Sequence, residues 1–186
     1  MEIYLVRHTK VANAAGLCYG RTDVALAASF AEEVAVIQSK IPKNYSTIYT
    51  SPLTRCQTLA TKFTAKERNV DTRLQELDFG QWENRLWKDI ARSETEPWMQ
   101  DFVYTAPPGG ESFVAMYRRV EEFLQELVQI EAESVLVVTH AGVLRCIWAW
   151  ALEIPLQKVF RLKISYGQKF RLSYLPKWEE LTIEVL

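Results

Sequence analysis

The chain holds two histidines, His8 and His140, and each follows a stretch with the look of a buried β-strand. Ile3 to Val6 is β-branched and aromatic with no polar face, and Arg7-His8 comes next. Ser134 to Thr139 is the clearest apolar strand, and His140 comes directly after it. In open α/β sheets ligands gather beyond the carboxyl ends of the strands, so neighbouring strands would bring both histidines to one point. A third strand-like run, Thr47 to Thr50, leads into Ser51-Pro52-Leu53-Thr54-Arg55. That places Arg55 in the first turn of a helix at the same edge. Ala141-Gly142 opens a further helix, whose free N–H groups and dipole favour an anion. Two arginines, two histidines and a helix N-terminus, with no matching set of carboxylates, suit a phosphoryl group, because guanidinium forks match its oxygens. Singly, each feature has a plainer explanation, since a histidine after a strand is commonly structural. Their coincidence at one edge is what points to an anion site.

The remaining elements must hold that edge together. Ser29 to Ile41 has apolar residues at helical spacing (Phe30, Val34, Ile37) and ends at Pro42. A helix is expected over Asn84 to Glu96, closed by Pro97. Pro107-Pro108-Gly109-Gly110 is a turn, and the longest helix follows with Phe113, Tyr117, Val120, Leu124 and Leu127 on one stripe. Ala141 to Leu152 is apolar almost all round, hence a buried helix. The tail from Phe160 alternates enough to suggest strands, with Tyr166-Gly167 as a turn. Strands alternating with helices predict one α/β domain over residues 1–186, a three-layer α/β/α arrangement with a mostly parallel sheet and an antiparallel edge from the tail.

Composition narrows the class. Among 186 residues, 22 Lys and Arg oppose 23 Asp and Glu, which argues against a protein drawn to nucleic acid or membrane by bulk charge. Two histidines exclude a three-histidine zinc site, and no metal is expected. Cys18, Cys56 and Cys146 form no C-x-x-C pair and are odd in number, so free thiols in the cytoplasm are the simplest expectation. No apolar run approaches the ~18 residues of a membrane span. No G-x-x-x-x-G-K-[ST] loop is present.

Four segments together resemble the histidine phosphatase superfamily, the phosphoglycerate-mutase-like fold. Leu5-Val6-Arg7-His8-Thr9 resembles its R-H-G/T signature. Ser51-Pro52-Leu53-Thr54-Arg55-Cys56-Gln57-Thr58 resembles S-P-L-x-R-x-x-x-T. Glu76 with Gly80-Gln81-Trp82-Glu83 resembles E-x-x-x-G-x-W-E, and Val138-Thr139-His140-Ala141-Gly142 its second histidine motif. The resemblance implies His8 as a nucleophile that forms phosphohistidine. It implies Arg7, Arg55 and His140, with Ala141 at the helix start, as the phosphate site. It implies Glu76 as the general acid for the leaving alkoxide; without the resemblance Glu76 would pass as a solvated loop carboxylate. No cofactor is implied, and the expected partner is a small phosphate ester, with a homodimer possible.

A finer resemblance is to the α-ribazole phosphatase branch, through Tyr19-Gly20-Arg21-Thr22-Asp23, Thr9, Glu76 to Gly80 and Pro108-Gly109-Gly110-Glu111-Ser112. It implies α-ribazole 5′-phosphate, or a cobalamin 5′-phosphate precursor, as substrate. A broad-specificity sugar or nucleotide phosphatase is the alternative, and a non-catalytic phospholigand-binding protein the alternative from another class. Arg21 and Asn13 are candidate phosphate or substrate contacts. Glu111 either lines the site or favours the start of the long helix. The chain departs from the family pattern at Thr9-Lys10-Val11, at Asn13, which stands one position early, and at Asn84, where glycine is usual. Lys10 either meets an acidic substrate group or is a solvated loop lysine. Trp82, Trp87 and Trp98 either stack on a heterocycle or pack the segment that covers the site.

Overall fold

The computed structural model describes residues 1–175 and 180–186. Its six strands form one sheet: β1 (Glu2–Arg7), β2 (Asn44–Thr50), β3 (Thr64–Val70), β4 (Ser134–Thr139), β5 (Lys169–Leu175) and β6 (Glu180–Val185). The order is β3-β2-β4-β1-β5-β6. The first three pairings in that order are parallel, and β5 and β6 add an antiparallel edge. The mostly parallel sheet with an antiparallel tail is therefore present as expected.

The sheet is covered on both faces because its central strands are apolar on both. In β4, Val135 and Val137 pack into a core with α4 (Phe113–Leu127) and α5 (Ala141–Leu152). Leu136 and Val138 point the other way, into a second core with α1 (Phe30–Gln38) and α2 (Thr54–Ala60). Successive residues of a strand alternate faces, so an uninterrupted apolar run is what a strand between two helical layers requires. Each fully buried Val or Leu here contributes about 1.5–3 kcal/mol of transfer free energy.

The segment from 79 to 104 lies over the carboxyl edge. It has its own small core of Cys18, Trp82 and Ile90, with Phe79 and Trp98 packed against it. Here the expected helix over Asn84 to Glu96 is not found. Asn84 adopts a left-handed φ of 65°, and Leu86 forms an isolated bridge with Leu17, so no helix can run through them. A short 3₁₀ turn spans Trp87–Asp89, and α3 runs over Arg92–Gln100 with Pro97 inside it. Pro97 does not close that helix. The helix is short and presents no buried residue, so the amide that Pro97 lacks is lost at a solvated turn rather than in a core. β3 is a second departure, a strand where none was expected: Thr64–Val70 is polar and largely exposed, an edge strand with little apolar pattern.

Candidate active site

The β1–β4 pairing sets the site. Arg7 stands opposite Thr139 in the parallel register, and the His8 amide donates to the Thr139 carbonyl at 2.9 Å. His8 and His140 therefore leave adjacent strands at the same level, and their rings meet edge to face with centroids 5.1 Å apart. The expectation that the two histidines share one sheet edge is met. Both are buried, at 2% and 0% exposure.

The His8 ring is fixed in one tautomer. Its Nδ1 lies 2.7 Å from the Thr9 carbonyl oxygen, which can only accept. Nδ1 therefore carries the hydrogen, and Nε2 is left with a lone pair. Burial, then the Arg55 and Arg7 charges, hold the His8 pKa well below 6.5, against the opposing pull of the Thr9 bond. His140 is held low by burial, then by His8, Arg55 and Arg7. Its Nε2 lies 2.8 Å from the Ser51 hydroxyl and 3.4 Å from the Cys56 sulfur, both able to donate.

Arg55 enters from the first turn of α2 and is fully buried. Its Nη1 donates to the Thr22 carbonyl at 2.7 Å and its Nη2 to the Gly20 carbonyl at 2.6 Å. Arg7 donates through Nη1 to the Ile164 carbonyl at 2.7 Å. The Nε of each arginine is buried without a partner among the described residues. An unpaired buried guanidinium N–H costs free energy that a bound anion would recover.

Glu76 faces this group from the segment after β3. Its Oε2 accepts the Gly142 amide at the start of α5 at 3.1 Å, and its Oε1 accepts the Leu77 amide at 3.0 Å. Ala141 is the first residue of α5, where an amide has no intrahelical partner. Arg7, His8, Arg55 and Glu76 line a cavity of about 210 Å³, and Leu17, Tyr19, Phe79 and Trp87 line the rest of it. Of the three tryptophans, Trp87 lines the cavity. Trp98 stacks behind it with centroids 6.0 Å apart, and Trp82 is fully buried with its indole N–H on Glu94.

Three candidate residues stand apart from that cavity. Arg21 pairs with Asp78 at 3.2 Å and Glu111 at 3.3 Å. Glu111 is also held by Arg119 of α4 at 2.6 Å. Asn13 is exposed in a turn with a φ of 52°. Among the described residues no group of three or more His, Cys, Asp or Glu is placed to hold a metal ion, and no helix is long and apolar enough to cross a membrane.

Sequence reasoning missed two parts of the site. Glu83 carries no predicted role, yet its carboxylate accepts the amides of Gly20, Arg21, Thr22 and Phe79 and the Thr22 hydroxyl. The carbonyls of that same loop hold Arg55, so Glu83 fixes the floor under the arginine. Arg119 is the other, since it donates to the Glu76 carbonyl at 3.3 Å. The motif around Trp82-Glu83 was a signal for the first; nothing in the sequence marked the second.

Residues 3–182 match a family model described as "Histidine phosphatase superfamily (branch 1)". The chain belongs to the histidine phosphatase superfamily. It is a phosphoric monoester hydrolase of that superfamily. The adenosylcobalamin/alpha-ribazole phosphatase of Escherichia coli K12 is 28% identical over 177 residues, which cover 90% of this chain and 87% of the relative. Phosphoserine phosphatase 1 of Hydrogenobacter thermophilus is 26% identical over 168 residues, 85% of this chain and 79% of the relative. The crystal structure of the alpha-ribazole phosphatase from Shigella flexneri superposes with a TM-score of 0.90 at 25% identity, over 100% of this chain and 96% of that one.

Proposed function

We propose that this phosphatase works through a phosphohistidine on His8 and that its preferred substrate is α-ribazole 5′-phosphate or a related cobalamin 5′-phosphate. The observation that carries the mechanism is the His8 tautomer, which leaves Nε2 as a free lone pair in a cavity beside two arginines with unpartnered Nε groups. Nε2 attacks phosphorus while the ester P–O bond breaks. The ring becomes an imidazolium whose Nδ1–H stays on the Thr9 carbonyl. Glu76 acts as the general acid and gives a proton to the departing alkoxide. Water then attacks the phosphohistidine and returns a proton to Glu76, and inorganic phosphate leaves a neutral His8. Arg7, Arg55, His140 and the Ala141 amide stabilise the charge on the transferring group.

The substrate assignment draws on the two α-ribazole phosphatase relatives and on the lining by Leu17, Phe79 and Trp87, which offers flat apolar surface to a benzimidazole. The test compares kcat/KM for α-ribazole 5′-phosphate with phosphoserine and with sugar and nucleotide monophosphates. A clear preference for α-ribazole 5′-phosphate is expected, and a flat profile would support the broad-specificity alternative. The same enzyme quenched in turnover should carry an acid-labile, alkali-stable phosphoryl group that His8→Ala lacks. Labelled phosphoenzyme persisting in His8→Ala would overturn the assignment.

A further inference from the structure

Tyr166 touches Arg7 and His8 but has no part in the mechanism above. It lies in the turn before β5, and that turn is bound tightly to the nucleophile's strand. The Gly167 amide donates to the His8 carbonyl at 3.2 Å, and the Arg7 amide donates to the Gln168 carbonyl at 3.0 Å. The Tyr166 ring covers the Arg7 guanidinium, with the guanidinium carbon 3.8 Å from the ring centroid. The same ring stands 5.5 Å from the His8 ring, centroid to centroid. Its hydroxyl lies 2.6 Å from the Tyr19 hydroxyl.

A guanidinium stacked on an aromatic face keeps its N–H groups free in its own plane. Stacking thus restrains Arg7 without consuming a donor. The in-plane donors then serve the Ile164 carbonyl through Nη1 and leave Nε unpartnered.

The two tyrosines also divide space. Tyr19 lines the cavity of about 210 Å³ that holds His8. Tyr166 lines a separate cavity of about 540 Å³, between the start of β5 and α1, with Lys10 and Lys169 among its walls. The hydroxyl pair joins a wall residue of one to a wall residue of the other. Removing the ring would uncover the face of the Arg7 guanidinium on which it lies and the side of His8 that it meets.

We propose that Tyr166 is a positioning residue for phosphoryl transfer: its ring, locked by the Tyr19 hydroxyl, orients Arg7 and screens His8 from water behind the site. This rests on His8 being the nucleophile.

The test uses the full chain with Tyr166→Phe, Tyr166→Leu, Tyr19→Phe and the double variant Tyr19→Phe/Tyr166→Phe. Tyr166→Phe keeps the face on Arg7 and should hold kcat within about threefold of wild type, while Tyr166→Leu loses on the order of tenfold or more in kcat with KM little changed. The two hydroxyls share one bond, so the double variant should lose no more than either single Phe variant. His8 faces Arg7, Arg55, His140, Tyr166 and the Thr9 carbonyl, with Glu76 also on the cavity wall. Water admitted by Tyr166→Leu should therefore move the acid limb of kcat/KM to higher pH, a change that simple loss of folding stability would not produce. Wild-type kcat and an unmoved acid limb in Tyr166→Leu would overturn the proposal. So would equal losses in Tyr166→Phe and Tyr166→Leu that follow only their melting temperatures. A wild-type enzyme that turns over substrate without phosphoenzyme would instead remove the nucleophile assignment on which the proposal stands.

Discussion

Glu76 and Gly142 are fitted to each other: the carboxylate accepts the Gly142 amide at 3.1 Å, and a Cβ on residue 142 would lie 2.1 Å from Glu76 Oε1. The glycine is what lets the proposed acid reach the helix start. Gly142→Ala should therefore displace Glu76 while leaving the fold intact, since alanine favours a helix over glycine by about 1 kcal/mol. Loss of a general acid costs roughly 10²–10⁴-fold where the leaving group is a poor one. Both Gly142→Ala and Glu76→Gln should then suffer on alkyl phosphates and far less on p-nitrophenyl phosphate. Equal losses on the two ester classes would refute the role.

Glu83 predicts a different failure. Burial alone would raise its pKa, but the hydrogen bonds from the Thr22 hydroxyl and from the Gly20, Arg21 and Phe79 amides outweigh that and hold it below the usual carboxylate range. Glu83→Ala strands those donors and loosens the carbonyls that grip Arg55. We expect KM for any phosphate ester to rise about tenfold or more and stability to fall by about 2–4 kcal/mol. Steady-state kinetics and urea unfolding check the two halves separately.

Acid should weaken both activity and stability through the histidines. In the folded protein His8 and His140 are held well below 6.5; in the unfolded chain each titrates near about 6.5. Just below that pH the unfolded state binds more protons, so the stability present above about pH 6.5 declines as pH falls toward the folded values. Each histidine contributes a slope of about 1.4 kcal/mol per pH unit in that window. Unfolding curves for wild type and His8→Gln between about pH 7.5 and 5.5 isolate one histidine from the carboxylates; identical slopes would contradict it.

Trp87 distinguishes the substrate readings. It is 37% exposed and lines the cavity beside Phe79, whose ring meets it edge to face at 5.4 Å. An aromatic contact of about 0.5–1.5 kcal/mol corresponds to roughly twofold to tenfold in affinity. Trp87→Ala should raise KM for α-ribazole 5′-phosphate by that amount and leave glycerol phosphate unchanged. A parallel rise for both would mean that the ring packs the cover and does not touch substrate.

Chelation makes a further prediction. In the proposed mechanism the charge on the transferring group falls to Arg7, Arg55, His140 and the start of α5, so treatment with EDTA should leave kcat and KM unchanged. Lost activity restored by a divalent cation would count against a purely side-chain mechanism.

How much was visible beforehand follows from which forces leave a trace in residue types. β1 and β4 were legible because a strand between two helical layers must be apolar on both faces, and the histidines were legible because they end those strands. β3 was not: an exposed edge strand, Thr64–Val70, needs backbone partners and little hydrophobic pattern. Pro97 misled because a proline inside a solvated helix is tolerable where one in a core is not. Glu83 acts on backbone amides, which carry no residue identity, and Tyr166 meets Arg7 only because β5 pairs antiparallel with β1. The resemblance to the family supplied Glu76, which pattern alone would have left as a loop carboxylate.

The small core of Cys18, Trp82 and Ile90 has one more consequence. Beyond Glu83, which braces the loop that grips Arg55, much of the packing that holds the cover in shape is its own and that of Cys18, whereas the histidines are set by the sheet edge. The cover is thus an exchangeable part. Substitutions or insertions between residues 84 and 104 can reshape what the cavity admits while Glu83 and the reacting groups stay in register. A chimaera bearing another relative's residues from 84 to 104 should keep the chemistry and change the customer.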